Sequence, residues 1–190
     1  EVVKLLSRVI MDLADGEVKP GLFRFDTAQS FETYLEQSYC KNASLIANSA
    51  RAAGVLSGCS ASELDGLYRF GRQLGLAFQV VDDILDFTGS DQQLGKPAAS
   101  DLASGYLTAP TFYAMEEHPG LQVLIAREFA EPGDLDQALE MVRSSRAIPR
   151  TRELAETFAR ESRDAIAWMS DSPCKRALLE LPDFVLSRLY

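Results

Sequence analysis

Residues 60–88 read SASELDGLYRFGRQLGLAFQVVDDILDFT. Within them Leu67, Phe70, Leu74, Phe78 and Val81 recur every three or four positions, the spacing that lines one face of a helix. Ser60 and Glu63 form a capping box, in which each side chain accepts a hydrogen bond from the other's backbone N–H and so starts the helix cleanly. The pattern predicts one long helix to Phe87. Sustained period-2 alternation is hard to find anywhere else in the chain, so the fold class expected is all-α.

Upstream, Val2, Val3, Leu5, Leu6, Val9, Ile10 and Leu13 predict a helix to about Ala14, stopped by Asp15-Gly16, with Pro20-Gly21 holding a loop open. Because that helix is already under way at Glu1, further chain is expected before it. A second helix is predicted from Gln29–Phe31 to about Leu56. Its centre (Ala43, Ser44, Ala47, Ser49, Ala50, Ala52, Ala53) is small enough for a neighbouring helix to approach closely. Downstream, residues 88–104 (TGSDQQLGKPAASDLAS) lose periodicity and predict a loop longer than ordinary connections, the kind that carries binding or lid functions. Helices are predicted near 106–117, 120–130, 134–145, 149–170 and 173–189, with no repeat or linker to divide residues 1–190 into domains.

Composition narrows the function. A net charge of −9 repels a polyphosphate backbone, which argues against nucleic acid as a partner. No apolar run approaches the roughly 18 residues needed to span a bilayer. Cys40, Cys59 and Cys174 are widely spaced and odd in number, giving neither a disulfide framework nor a zinc site. His118 has no partner motif, and Trp168, on an amphipathic stretch with Phe158 and Ile166, reads as packing.

The chemistry concentrates at the end of the long helix. Asp82 and Asp86 are four residues apart and share a face, and Asp83 reaches Asp86 at a spacing of three, so three carboxylates are expected to converge within one turn. Like charges near a helix C-terminus repel one another and the macrodipole, and a hard cation with oxygen ligands relieves both; Mg²⁺ suits this role. The pattern taken alone is a weak signal, and an acidic helix tip in water is its ordinary reading. On the loop that follows, Lys96 is placed to fold over the carboxylates as a cation for diphosphate, with Gly95 permitting close backbone approach.

The strings FQ..DD..D (Phe78 to Asp86) and GK....DL..G..TAP (Gly95 to Pro110) resemble the second aspartate-rich region of the trans-isoprenyl (polyprenyl) diphosphate synthase family. Asp15-Gly16-Glu17-Val18 resembles its GE[IV]xQ element and Lys41-Asn42-Ala43-Ser44-Leu45 its KTAxL helix. Phe129-Ala-Glu131-Pro132-Gly133 and the ending Ser187-Arg188-Leu189-Tyr190 look most like plant and cyanobacterial solanesyl diphosphate synthases. The resemblance implies the C-terminal portion of a single synthase domain with an isoprenoid-synthase-type helical bundle. By that likeness Asp82, Asp83 and Asp86 bind Mg²⁺. Lys41, Gln79 and Lys96 act on the allylic diphosphate as it leaves, and Asn42 and Asp101 join them in binding substrate. The implied reaction extends an allylic prenyl diphosphate with isopentenyl diphosphate to a long all-trans product for a quinone tail. Also implied are a homodimer or a heterodimer with a related synthase, and a plastid location, or the cytoplasm for a cyanobacterial protein.

The family uses a second DDxxD motif on a facing helix, and no other DDxxD occurs in these 190 residues. The isolated chain is therefore expected to lack prenyl transfer activity. Pro20 stands where the family usually has Gln, and Asn42 where it usually has Thr. These departures leave a second reading, a non-catalytic subunit that pairs with an active synthase. A terpene cyclase is disfavoured, since that class usually carries an NSE-type second metal site where this chain has DDILD followed by Gly95-Lys96.

Overall fold

A computed structural model describes residues 1–89 and 99–189, and every regular element among them is helical. In chain order these are α1 (Val2–Val18), α2 (Phe31–Ser38), α3 (Ser44–Leu56), α4 (Ala61–Thr88), α5 (Ser100–Ala103), α6 (Ala109–Glu117), α7 (Pro119–Ala126), α8 (Asp134–Ser144), α9 (Ala147–Ala165) and α10 (Pro173–Ser187). A 3₁₀ turn at Lys19–Phe23 follows α1, and a π turn at Tyr39–Ala43 joins α2 to α3.

The 28 residues of α4 make it about 42 Å long at 1.5 Å per residue. It is capped as predicted: the Ser60 N–H donates to Glu63 Oε2 at 2.7 Å, and Ser60 Oγ accepts from the Glu63 N–H. The helix lies between α3 and α9. Its buried residues enter two apolar clusters, Phe87 joining Tyr34, Leu102, Phe112 and Ile125, while Phe70, Leu74, Val80 and Val81 pack with Phe158 and Ile166. Truncating a phenylalanine in either place costs about 3–5 kcal/mol. On the α9 side Ser162 Oγ donates to the Phe70 carbonyl at 3.0 Å, satisfying both buried groups.

The small residues of α3 do allow close approach. Ala43 and Ala47 are fully buried against α4 at two of its three glycines, Gly75 and Gly71. A Cβ on Gly71 would stand 2.6 Å from the Ile46 carbonyl oxygen and 2.7 Å from Ala47 Cα, and one on Gly75 would fall on Ala43 Cα. Trp168 covers the start of α4, its indole N–H donating to the Ala165 carbonyl at 3.0 Å beside Gly66.

Several boundaries differ from the sequence-based expectation. Helix α1 runs through Asp15-Gly16 to Val18, because Gly16 serves contact rather than termination: a Cβ there would lie 2.7 Å from the Lys41 nitrogen. The helix predicted as continuous to Leu56 is interrupted at Tyr39–Ala43, where the Ser44 N–H reaches back five residues to the Tyr39 carbonyl. The helix expected to 130 stops at Ala126, since Glu128 and Phe129 take positive φ of 57° and 53°. The long loop contains the short α5, and residues 90–98, including Gly95 and Lys96, lie outside the described residues.

Candidate active site

A cavity of about 200 Å³ opens where the end of α1, α2, the π turn, the second half of α4 and the start of α5 meet. Each element brings one kind of group. The end of α1 supplies Glu17, the π turn Lys41, α4 Gln79 and Asp83, and α5 Asp101; Phe23 and Leu107 add apolar wall.

Asp83 is 1% exposed. Its carboxylate accepts from the Tyr34 phenol at 2.5 Å and from Gln79 Nε2 at 2.7 Å. Asn42 Nδ2 in turn donates to Gln79 Oε1, so Asn42, Gln79, Asp83 and Tyr34 form one hydrogen-bonded chain. Both recorded partners of Asp83 are neutral. Burial raises its pKa to about 7, against the pull of these two hydrogen bonds, and the charges of Asp101 and Asp82 push the same way. The Tyr34 phenol is itself driven well above its ordinary pKa, by burial first and the Asp83 charge second, and so stays a donor.

The expected convergence of three carboxylates needs correction. Asp83 lines the cavity, whereas Asp82 is not part of its wall and is held by Arg188 beyond α10, its Oδ1 2.7 Å from Arg188 Nη2. Asp86 is 2% exposed and accepts from Ser100 Oγ at 3.1 Å and the Asp101 N–H at 3.2 Å, fastening the start of α5. A spacing of one or four residues fixes where Cα atoms lie, and here three different neighbours claim the three side chains. Among the described residues no group of three His, Cys, Asp or Glu side chains is arranged to hold a metal. Lys41, Asn42, Gln79, Asp83 and Asp101 do come together; Lys96 lies outside the described residues.

The wall still fits a divalent cation brought with an anion. Glu17, Asp83 and Asp101 face a single lysine, Lys41, among the described lining residues, and oxygen donors of this kind suit a hard cation. Two lining atoms, Gln37 Nε2 and Thr108 Oγ1, are buried without a hydrogen-bond partner among the described residues, leaving donors for a guest. Sequence reading did not single out Tyr34, Gln37 or Arg188 as site residues. Tyr34 and Arg188 stand 49 and 106 residues from their aspartates, beyond the reach of any local spacing rule.

The family model for polyprenyl synthetase matches residues 1–142. The chain belongs to the polyprenyl synthetase family. It is 56% identical over all of its 190 residues to a prenyl transferase of Synechocystis, of which it spans 59%. Solanesyl diphosphate synthase 2, chloroplastic, of Arabidopsis thaliana is 44% identical, with 100% of this chain and 45% of that protein covered. Among solved structures, a polyprenyl synthase from Caulobacter crescentus complexed with calcium and isoprenyl diphosphate superposes with a TM-score of 0.89 at 32% identity, covering 100% of this chain and 59% of that one. This polyprenyl synthetase chain thus spans about three fifths or less of these relatives.

Proposed function

We propose that residues 1–190 are the C-terminal part of a polyprenyl diphosphate synthase domain and hold one half of its active site. The observation that carries this reading is the cavity that brings Lys41, Gln79 and Asp83 to one wall with carboxylate in excess. Lys41 offers its ammonium to the diphosphate of an allylic substrate and holds negative charge there as the carbon–oxygen bond breaks. Gln79, gripped by Asn42 on one side and donating to Asp83 on the other, fixes the orientation of that carboxylate. Phe23 and Leu107 limit water on the apolar side, where the prenyl tail enters.

Asp83 and Asp101, with Asp82 once released from Arg188, are the residues that would hold Mg²⁺. When bound, the ion supplies positive charge to diphosphate oxygens. The Caulobacter structure, solved with calcium and isoprenyl diphosphate, supports this pairing of a hard cation with diphosphate. The chloroplastic solanesyl diphosphate synthase of Arabidopsis supports a long, solanesyl-like product and a plastid location; a quinone tail as its destination, and the cytoplasm if the protein is cyanobacterial, belong to the same proposal. Assembly as a homodimer or with a related synthase belongs to the same reading.

Incorporation of radiolabelled isopentenyl diphosphate into long-chain product is the test. The isolated chain is expected to incorporate none. The complete synthase is expected to elongate, and its Asp82→Ala form to turn over at least about 100-fold more slowly. Elongation by the isolated chain, or near-normal turnover after Asp82→Ala, overturns the assignment. Pro20, on the cavity wall where the family usually has Gln, favours one alternative, a non-catalytic partner subunit. That alternative is correct if the complete protein elongates only when a related synthase is added.

A further inference from the structure

Asp82 has a counter-ion already. Arg188 lies just past the end of α10, 106 residues away, and its Nη2 sits 2.7 Å from Asp82 Oδ1, with the two side chains 33% and 43% exposed. The guanidinium is stacked 4.7 Å over the ring of Phe78, one turn before Asp82 on the same face of α4. Its other terminal nitrogen, Nη1, is buried and has no hydrogen-bond partner among the described residues. The contact with Asp82 is therefore end-on, one nitrogen to one oxygen, not the two-pronged grip that makes an arginine–carboxylate pair strong. The Arg188 N–H reaches the Val185 carbonyl at 3.4 Å, a long hydrogen bond at the end of the helix.

We propose that Arg188 is a built-in counter-ion that occupies Asp82 in place of a divalent cation and must yield it before the cation can use that carboxylate. This rests on the reading of Asp82 and Asp83 as cation ligands given above. Asp82 stands beside the buried Asp83, in the second half of a helix whose C-terminal end carries negative partial charge. An unneutralised carboxylate at that point is disfavoured, and a single arginine removes the repulsion without filling the cavity. A doubly charged ion outcompetes a single end-on contact, and the arginine stem keeps its seat on Phe78 while the head turns away. Arg188 is thus a positioning residue that sets how readily Asp82 becomes available, and its unpartnered nitrogen makes the pair easier to break.

Calorimetric titration with Mn²⁺ alone tests this in wild type, Arg188→Met, Asp82→Asn and the double variant. Arg188→Met keeps a flexible apolar stem over Phe78 and removes the charge. It is expected to tighten Mn²⁺ binding about threefold, the scale of a half-exposed ion pair, and to change nothing when Asp82→Asn is also present. Unchanged or weaker binding in Arg188→Met, or the same gain in the Asp82→Asn background, overturns the proposal. A second arm needs no substitution: in wild type, Mn²⁺ is expected to speed amide exchange over residues 186–189, and unaltered exchange counts against it. If Asp83→Asn binds Mn²⁺ as wild type does, or if wild type binds none, the cation site itself is lost. If Asp83→Asn loses binding while Arg188→Met leaves it untouched, only the role of Arg188 falls.

Discussion

The phenol of Tyr34 on α2 donates to the carboxylate of Asp83 on α4 at 2.5 Å, and both groups are almost completely buried. Forty-nine residues of chain separate them. The bond ties the wall of the cavity to the core, since the Tyr34 ring also packs 5.8 Å from that of Phe112 on α6.

Tyr34→Phe keeps the ring packing and deletes the donor, leaving a buried carboxylate with Gln79 as its remaining recorded partner. A loss of about 1–3 kcal/mol of stability is expected, the cost of stranding a buried acceptor. Denaturant unfolding of the two proteins checks it, and equal midpoints would show that the bond contributes nothing.

Asp83→Asn should have opposite effects with and without ligand. With chelator present, the amide removes a buried charge that neutral donors alone satisfy, and the melting temperature is expected to rise. With Mg²⁺ and inorganic pyrophosphate added, the wild-type protein is expected to gain thermal stability and the variant little or none. A variant that melts lower in chelator, or that responds to ligand as wild type does, contradicts this account.

Gly71→Ala drives a methyl group into the α3 backbone, 2.6 Å from the Ile46 carbonyl oxygen, where no flexible side chain can give way. A destabilisation of about 1–3 kcal/mol is expected despite the better helix propensity of alanine. Gly21→Ala, where a Cβ meets nothing within 4 Å, is the control and should stay near wild type.

Asp134 at the start of α8 accepts from Arg127 Nε at 2.7 Å and from the Glu131 N–H at 3.1 Å. The arginine hydrogen bonds hold its carboxyl below the ordinary 3.8, against the effect of burial, with the Glu131 N–H adding to them. A lowered folded pKa gives stability that is complete above the unfolded value and lost as pH falls through the folded one. Asp134→Asn should therefore melt below wild type near neutrality, with the gap closing as pH falls through the acid window below the ordinary carboxylate value of 3.8. A gap of constant size across that window would remove the carboxylate as its source.

Much of the fold could be read from the chain because its signals are local. Ser60 and Glu63 announce the start of α4, and the spacing of Phe70, Leu74 and Val81 gives its buried face. Gly16 misled for the same reason: glycine signals a stop and also permits contact, and only the position of Lys41 in space distinguishes the two. At the site, the composition of the motif was legible and its geometry was not. Asp82, Asp83 and Asp86 are neighbours on one turn, yet an arginine, a tyrosine and the start of α5 each engage a different one of them. None of those partners lies within helical reach of the motif.

The π turn at Tyr39–Ala43 has one more effect. It fits an extra residue into a single coil, so everything after it is rotated by about 100° relative to an uninterrupted α-helix. That offset lets one continuous rod serve two directions: Lys41 looks into the cavity while Ala43 and Ala47 lie flat against α4. Removing one residue from this coil would leave helix content almost untouched yet force a choice between a seated rod and an aimed lysine.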